Sequence, residues 1–291
     1  MRNISEVGSF VQRPKRKFDL LIKLTNVRPR ARLRPFMNLS IVIPAYNESR
    51  KIVDTLLEIV SFLDDRPWKF ELIVVDDGSS DATGTLVDSV AEKDDRIKCL
   101  RNGHNAGKGY SIRRGIEKSQ GAIVGFLDAD NKTEIRSLEL VMELLAQPEI
   151  DGVLGDRTLA NSDIARARRP FRQWGSNLFR YLLRIYAGLG NFPDTQCGFK
   201  FFSKAVAKDL FSKQQVDGYM FDVEVLMLAV NAGYQLERIP VIWRDDPDSR
   251  FNPITGMAKS GENSYGNCME TILLSGGLQS PSSPIMNFPK L

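Results

Sequence analysis

Asp128-Ala129-Asp130 sets two carboxylates one residue apart, directly after the apolar run Ile123-Val124-Gly125-Phe126-Leu127. A run of this kind, partly β-branched, reads as a strand buried on both faces. An unpaired carboxylate is costly to bury, so both must sit where the strand leaves the core and meets water, a cation or a ligand. Open α/β sheets bind ligands at the carboxyl ends of their strands, which is where the pair falls. Two hard oxygen ligands there suit Mg²⁺ or Mn²⁺ carrying a diphosphate. Taken alone, the same triplet is more often an Asp-rich turn in solvent. Its neighbours in the fold decide between the two.

Two further strand ends carry the same kind of residues. Leu39-Ser40-Ile41-Val42-Ile43 runs into Pro44-Ala45-Tyr46-Asn47-Glu48, and Phe70-Glu71-Leu72-Ile73-Val74-Val75 into Asp76-Asp77-Gly78-Ser79. Carboxylates and amides on one rim can read a nucleobase and ribose through their N–H and O–H donors, while the metal pair holds the diphosphate of the same nucleotide. Each turn singly is ordinary Asp, Gly and Ser turn chemistry. Three of them at strand ends argue for a nucleotide site.

The elements that must position these residues follow from the periodicity. A helix carrying Ile52, Val53, Leu56, Leu57, Ile59, Val60 and Leu63 follows the first strand, with Asn47 or Ser49 as its expected cap. A helix over 82–92, a strand Ile97-Lys98-Cys99-Leu100 and a helix opened by Asn105-Ala106-Gly107-Lys108-Gly109 come before the Asp-bearing strand. Strands alternating with helices predict βαβ units and a mostly parallel sheet, with right-handed crossovers placing these strand ends on one rim. Farther on, the pattern predicts a helix over 135–145 and a strand Gly152-Val153-Leu154-Gly155 ending at Asp156-Arg157. A basic stretch (Arg166, Arg168, Arg169, Arg172) leads into an aromatic helix through Trp174, Phe179, Tyr181 and Tyr186. That pairing fits an anionic lipid headgroup at a membrane surface, or else a solvated helix start and a core-facing stripe. A loop over 194–202, helices near 204–211 and 221–232, and a last strand Leu236–Trp243 complete the pattern.

Composition narrows the function classes. Residues 1–38 hold ten Lys/Arg against Glu6 and Asp19, a net of +8, which leaves −4 for the rest of a chain whose total is +4. Such an arm suits an anionic membrane surface or serves as a solubilising tail; a nucleic-acid role rests on this arm alone and is not adopted. Cys99, Cys197 and Cys268 are widely spaced and His104 is the sole histidine, which argues against a disulfide framework, a zinc site and a His-based triad. No apolar run approaches the roughly 20 residues that span a bilayer. The expectation is therefore a cytoplasmic protein, peripheral at the cytoplasmic face of a membrane. A dinucleotide oxidoreductase is excluded because Pro44-Ala45-Tyr46 stands where its glycines would be.

In their order and spacing, Ile43–Glu48, Asp76-Asp77-Gly78-Ser79, Gly107-Lys108-Gly109 and Asp128-Ala129-Asp130 resemble the family-2 glycosyltransferases of the GT-A fold. Asp194–Lys200 and Phe221-Asp222-Val223-Glu224 resemble the branch that makes polyprenyl-phosphate sugars, and Thr195-Gln196-Cys197-Gly198-Phe199-Lys200 is more similar to dolichyl-phosphate β-glucosyltransferases than to the mannosyl enzymes. The resemblance implies an α/β, GT-A fold: a single catalytic domain over 39–255, with a Rossmann-like, mostly parallel central sheet flanked by helices. The basic arm 1–38 and a disordered tail 256–291 would flank it. It implies inverting transfer of a hexose, glucose by this likeness, from a nucleotide-diphosphate donor such as a UDP-sugar to a polyprenyl or dolichyl phosphate. The alternatives are a sugar-hydroxyl acceptor, as in polysaccharide or glycolipid assembly, and a non-catalytic nucleotide-sugar-binding protein.

The roles implied by the resemblance are these. Pro44, Ala45, Asn47, Glu48, Asp76 and Asp77 would hold uracil and ribose, and Lys108 would sit near the nucleoside or its phosphates. Asp128, Ala129 and Asp130 would form the metal–diphosphate turn, with Asp128 and Asp130 as ligands to Mg²⁺ or Mn²⁺. Arg157, Arg169 and Arg250 would meet phosphate. Asp222 is either catalytic or a capping or buried, paired carboxylate. One departure stands out: Lys132 occupies the position where the mannosyl enzymes place a further, glutamine, metal ligand.

Overall fold

The computed structural model describes residues 38–130, 132–159 and 189–244. The basic arm, the arginine-rich stretch with its aromatic helix, and the tail lie outside the described residues, as do Arg169 and Arg250. The first half alternates as the periodicity requires: β1 (Asn38–Ala45), α1 (Ile52–Asp64), β2 (Lys69–Asp76), α2 (Thr83–Ala91), β3 (Ile97–Arg101), α3 (Lys108–Lys118) and β4 (Ile123–Leu127). A 3₁₀ turn (Ile135–Ser137) then enters α4 (Leu138–Leu144), followed by β5 (Gly152–Asp156), β6 (Phe199–Ser203), α5 (Lys204–Lys213), α6 (Phe221–Asn231) and β7 (Leu236–Pro240).

The strands form one seven-stranded sheet in the order β3-β2-β1-β4-β6-β5-β7. Every pairing is parallel except those of β6 with β4 and β5, so β6 alone runs against the rest. Side chains alternate across it into two cores. Ile41, Ile43, Leu72 and Val74 pack with α1, α2 and α4 on one face. Val42, Ile73, Val75, Val124 and Phe126 pack with α3, α5 and α6 on the other. Phe126, Phe211 and Phe221 are fully buried there, each contributing about 1.5–3 kcal/mol of apolar burial. Phe126 meets Phe221 with ring centroids 5.5 Å apart.

The chain leaves β1 toward β2 and β3 and returns to place β4 on the other side of β1. The topological switch point, where α/β sheets open a crevice for ligand, therefore lies between β1 and β4. Pro44–Glu48 and Asp128–Asp130 flank it.

Several expectations need correction. The stretch 194–202 is not all loop, since Phe199–Ser203 is β6. Phe199 and Phe201 enter one core and Phe202 the other, the alternation of a strand buried on both faces. Because β6 is antiparallel, its entry at 194–198 reaches the same rim as the carboxyl ends of the other strands. The last strand stops at Pro240, which has no N–H to extend a ladder; Thr133 and Trp243 still form an isolated antiparallel bridge. Neither Asn47 nor Ser49 caps α1 through its side chain; the Glu48 carbonyl instead accepts the N–H groups of Lys51 and Ile52, both at 2.9 Å. Among the described residues, no helix is long and apolar enough to cross a membrane.

Candidate functional site

On the β3-β2-β1 side the strand-end loops are stitched together by hydrogen bonds between backbone and short polar side chains. Asn47 has φ 55°, a left-handed conformation that asparagine tolerates better than most residues. Its N–H donates to Ser79 Oγ (2.9 Å), and its Oδ1 accepts the Ser80 N–H (2.9 Å). The Glu48 N–H donates to Thr83 Oγ1 (2.8 Å), and the Asp77 N–H to the Ala45 carbonyl (2.8 Å). Asp81 accepts from Thr83 and Ser49; burial works against its charge, but these bonds together hold its carboxyl at about 2.

Asp76 and Asp77 are both buried. Asp76 Oδ1 accepts the Ser79 N–H (3.0 Å) and closes its own turn. Asp77 accepts from Asn102 Nδ2 (2.7 Å) and from the backbone N–H groups of Ala106 and Gly107 (2.9 Å each). Three of its roughly four acceptor sites are thus spent on the loop that delivers Lys108. Gly107, at φ 104°, packs against the Asp217 carbonyl so closely that a Cβ would overlap it. That carbonyl accepts the Gly109 (2.7 Å) and Tyr110 (3.2 Å) N–H groups at the start of α3. Glu224 in turn holds the 214–217 loop by accepting the Gln215 (3.0 Å) and Val216 (2.8 Å) N–H groups.

At the end of β4 the contacts change character. Lys108 Nζ lies 2.6 Å from Asp128 Oδ1, and Lys132 Nζ lies 2.6 Å from Asp130 Oδ2. Burial works against the Lys108 charge, but Asp128 and then Asp222 more than offset it and hold the ammonium above its usual range. The Lys132 backbone N–H also donates to Asp130 Oδ1 (3.3 Å). The turn between the aspartates is anchored from α1, where buried Thr55 donates to the Ala129 carbonyl (2.8 Å). From the entry to β6, Gly198 packs on the Asp128 carboxylate; any Cβ at that residue would overlap it.

Arg157, just past β5, donates to both oxygens of Asp194 (2.8 and 2.7 Å) and lies over the Trp243 ring, 4.7 Å from its centroid. Burial works against the guanidinium, and the Asp194 bonds and charge overcome it; Asp128 also lies within electrostatic reach. Asp194 is likewise pushed up by burial but held below its usual value by Arg157. Asp222 lies close by. It is buried at the start of α6, and Lys200 Nζ donates to it (2.6 Å) and to the Cys197 carbonyl (2.6 Å). Burial pushes the Asp222 carboxyl up, opposed by Lys200 and Lys108.

The predicted residues Pro44, Ala45, Asn47, Glu48, Asp76, Asp77, Lys108, Asp128, Ala129, Asp130 and Arg157 therefore share one rim, with Asp222 beneath it. Sequence reasoning missed Thr55, Asp194 and Trp243 as supporting residues. Asp194 stood in a motif, but its partner is 37 residues away in the chain. As to a divalent cation, no group of three or more His, Cys, Asp or Glu among the described residues is placed to hold one. Asp128 and Asp130 keep 29% and 20% of their side-chain surface exposed at the rim. Two hard carboxylates with substrate phosphate oxygens and water completing the shell are a usual way of holding Mg²⁺ or Mn²⁺, so the donor set fits.

A family model described as glycosyl transferase family 2 matches residues 40–211. The dolichyl-phosphate beta-glucosyltransferase ALG5D of Trichomonas vaginalis is 34% identical over 235 residues, covering 78% of this chain and 71% of that protein. The dolichyl-phosphate beta-glucosyltransferase of Drosophila melanogaster is 32% identical, covering 79% and 74%. Among solved structures, glucosyl-3-phosphoglycerate synthase from Mycobacterium tuberculosis, in complex with Mn²⁺, UDP and phosphoglyceric acid, shares the fold with a TM-score of 0.57 at 20% identity, over 93% of this chain and 86% of that one.

Proposed function

Because the chain belongs to glycosyl transferase family 2, we propose that it transfers glucose from UDP-glucose to a dolichyl or other polyprenyl phosphate, with inversion at the anomeric carbon. The observation that carries this reading is the bridge at the β1–β4 switch point. Asp77 holds the loop that bears Lys108, and Lys108 reaches Asp128, so a nucleoside on one side and its diphosphate on the other would meet a single scaffold. The activity named for the relatives supports the same acceptor class.

In this reading Pro44, Ala45, Asn47, Glu48, Asp76 and Asp77 shape the uracil and ribose pocket, and Lys108 faces the diphosphate. Asp128 and Asp130 would hold Mg²⁺ or Mn²⁺, the latter being the ion bound with UDP in the mycobacterial synthase of the same fold. Bound there, a divalent cation supplies electrostatic stabilisation of the leaving diphosphate.

An oxygen of the acceptor phosphate attacks the anomeric carbon, and the bond from that carbon to the donor diphosphate breaks, its electron pair leaving with UDP. A lipid phosphate has its second pKa near 6 and is already largely anionic at neutral pH, so no base is required. Asp222, engaged by Lys200, is poorly placed to serve as one, which favours a phosphate over a sugar hydroxyl as acceptor. Arg157, held rigid by Asp194 and Trp243, receives the acceptor phosphate, with Arg169 and Arg250 as further cations. The arm 1–38 rests on an anionic membrane, with the protein peripheral at its cytoplasmic face.

The test is a donor-by-acceptor screen with the purified chain: UDP-glucose and GDP-mannose against dolichyl phosphate, undecaprenyl phosphate and sugar acceptors. Transfer from UDP-glucose to a polyprenyl phosphate is expected. Transfer confined to sugar hydroxyls would overturn the acceptor assignment.

A further inference from the structure

Each carboxylate of the Asp128–Asp130 pair has a lysine of its own. Lys108 and Lys132 keep only 18% and 14% of their side-chain surface exposed, and the ion pairs with Asp128 and Asp130 offset part of the cost of burying each charge. The Lys132 pairing is built from two directions, with its backbone N–H on one oxygen of Asp130 and its Nζ on the other. Its backbone is fixed in turn by the Arg244 N–H, which donates to the Lys132 carbonyl (2.7 Å), and by the neighbouring Thr133–Trp243 bridge. Beside Asp130 and Lys132 lies an open cleft of about 280 Å³, lined also by Lys51, Asp54, Thr55, Glu58 and Arg244, into which the Lys132 side chain has room to move.

Charge arithmetic gives this arrangement a consequence. The two lysines and two aspartates are neutral together. A divalent cation seated on the carboxylates alone would leave the cluster with two surplus positive charges and draw Asp128 and Asp130 away from their lysines. A sugar-nucleotide diphosphate carries one negative charge on each phosphoryl group, and its arrival restores neutrality and gives both lysines new acceptors.

We infer that Lys108 and Lys132 are internal counter-ions which hold the Asp128–Asp130 pair in the absence of ligand and pass to the diphosphate when it binds, so that a divalent cation binds strongly only together with the nucleotide. Lys132 is then a specificity element for the cation–nucleotide pair. This rests on the reading of the aspartates as a cation–diphosphate site, and deepens it by assigning the lysines.

The test is Mn²⁺ binding to the full chain, followed by the electron paramagnetic resonance of free Mn²⁺, with and without UDP. For the wild type, UDP should tighten Mn²⁺ binding at least about tenfold, the scale set by one charge-pair energy at a partly buried site. Lys132→Met, which removes the charge without supplying a ligand oxygen, should tighten binding of Mn²⁺ alone by about tenfold and shrink the gain from UDP. Lys132→Arg, which keeps the charge, should behave as wild type, a rescue that a merely structural role would not produce. Lys108→Gln gives an independent reading at Asp128, and circular dichroism melts verify folding of each variant. Unchanged or weaker Mn²⁺ binding by a folded Lys132→Met, with UDP and Mn²⁺ still binding the wild type, overturns the inference alone. Failure of the wild type to bind UDP in the presence of Mn²⁺ would overturn the functional reading and this inference with it.

Discussion

The two sides of the rim are built from different interactions. Around β1, β2 and β3 the loops are joined by bonds such as Asn47 to Ser79 and Ser80, Glu48 to Thr83, and Asp77 to Ala106 and Gly107. Around β4, β6 and β5 the contacts are ion pairs: Lys108–Asp128, Lys132–Asp130, Arg157–Asp194 and Lys200–Asp222. The first kind fixes a shape, because backbone donors have nowhere else to go. The second stores compensated charge that an incoming phosphate or cation can exchange. A pocket for an uncharged nucleoside needs the former, and a site for a diphosphate and a lipid phosphate needs the latter.

The ion pairs themselves divide by depth, and this sets the largest expected effect. Lys200 and Asp222 are 0% and 4% exposed, out of reach of any ligand. Lys200→Met should leave Asp222 buried without its hydrogen-bonded ion-pair partner and cost about 3–5 kcal/mol of stability, while Lys200→Met with Asp222→Leu should recover most of it. Urea titration reads both, and a small loss for the single variant would show that this pair is as exchangeable as those above it.

Asp194→Asn comes next, with about 2 kcal/mol lost at neutral pH because Arg157 keeps its burial but loses an ionic partner. The sign with pH follows from the lowered carboxyl. The Asp194 contribution is present above its ordinary value of 3.8 and disappears as pH falls through the lower folded value. The stability gap between wild type and variant should therefore close below that range; a gap that widens on acidification would contradict the pairing.

Asn47→Ala is the smallest and should act on function rather than on the fold. It removes the acceptor for the Ser80 N–H and a residue suited to the left-handed turn, raising the donor KM about fivefold for roughly 1 kcal/mol of lost interaction with little change in melting temperature. A loss of stability as large as that of Lys200→Met would remove the distinction between the two sides.

Much of this architecture was legible in sequence for local reasons. β4 announces itself as an apolar run ending in two aspartates, and β1 and β2 end in equally distinctive turns, so the strand ends that form the rim could be named from sequence. β6 was not legible. Lys200 between phenylalanines reads as a loop residue until Asp222, 22 positions later, is seen to neutralise it inside the core. The Arg157–Asp194 clamp and the Thr55 bond to Ala129, 74 positions apart, are likewise products of sheet order that no local pattern carries. Lys132 stood out as a departure from the family pattern, but its grip on Asp130 needed the turn geometry. Arg169 and Arg250 lie outside the described residues.

The central claim, glucosyl transfer to a lipid phosphate through the Asp128–Asp130 turn, is tested most directly by partition of label. The full chain is incubated with radiolabelled UDP-glucose, Mn²⁺ and dolichyl phosphate in liposomes, and the organic phase is counted for wild type and for Asp130→Ala. The account predicts label in the lipid phase with the wild type and a loss of about 10²–10³-fold or more with the variant, whose missing carboxylate served the leaving group. Absence of lipid label with the wild type, or equal labelling by Asp130→Ala, would contradict it.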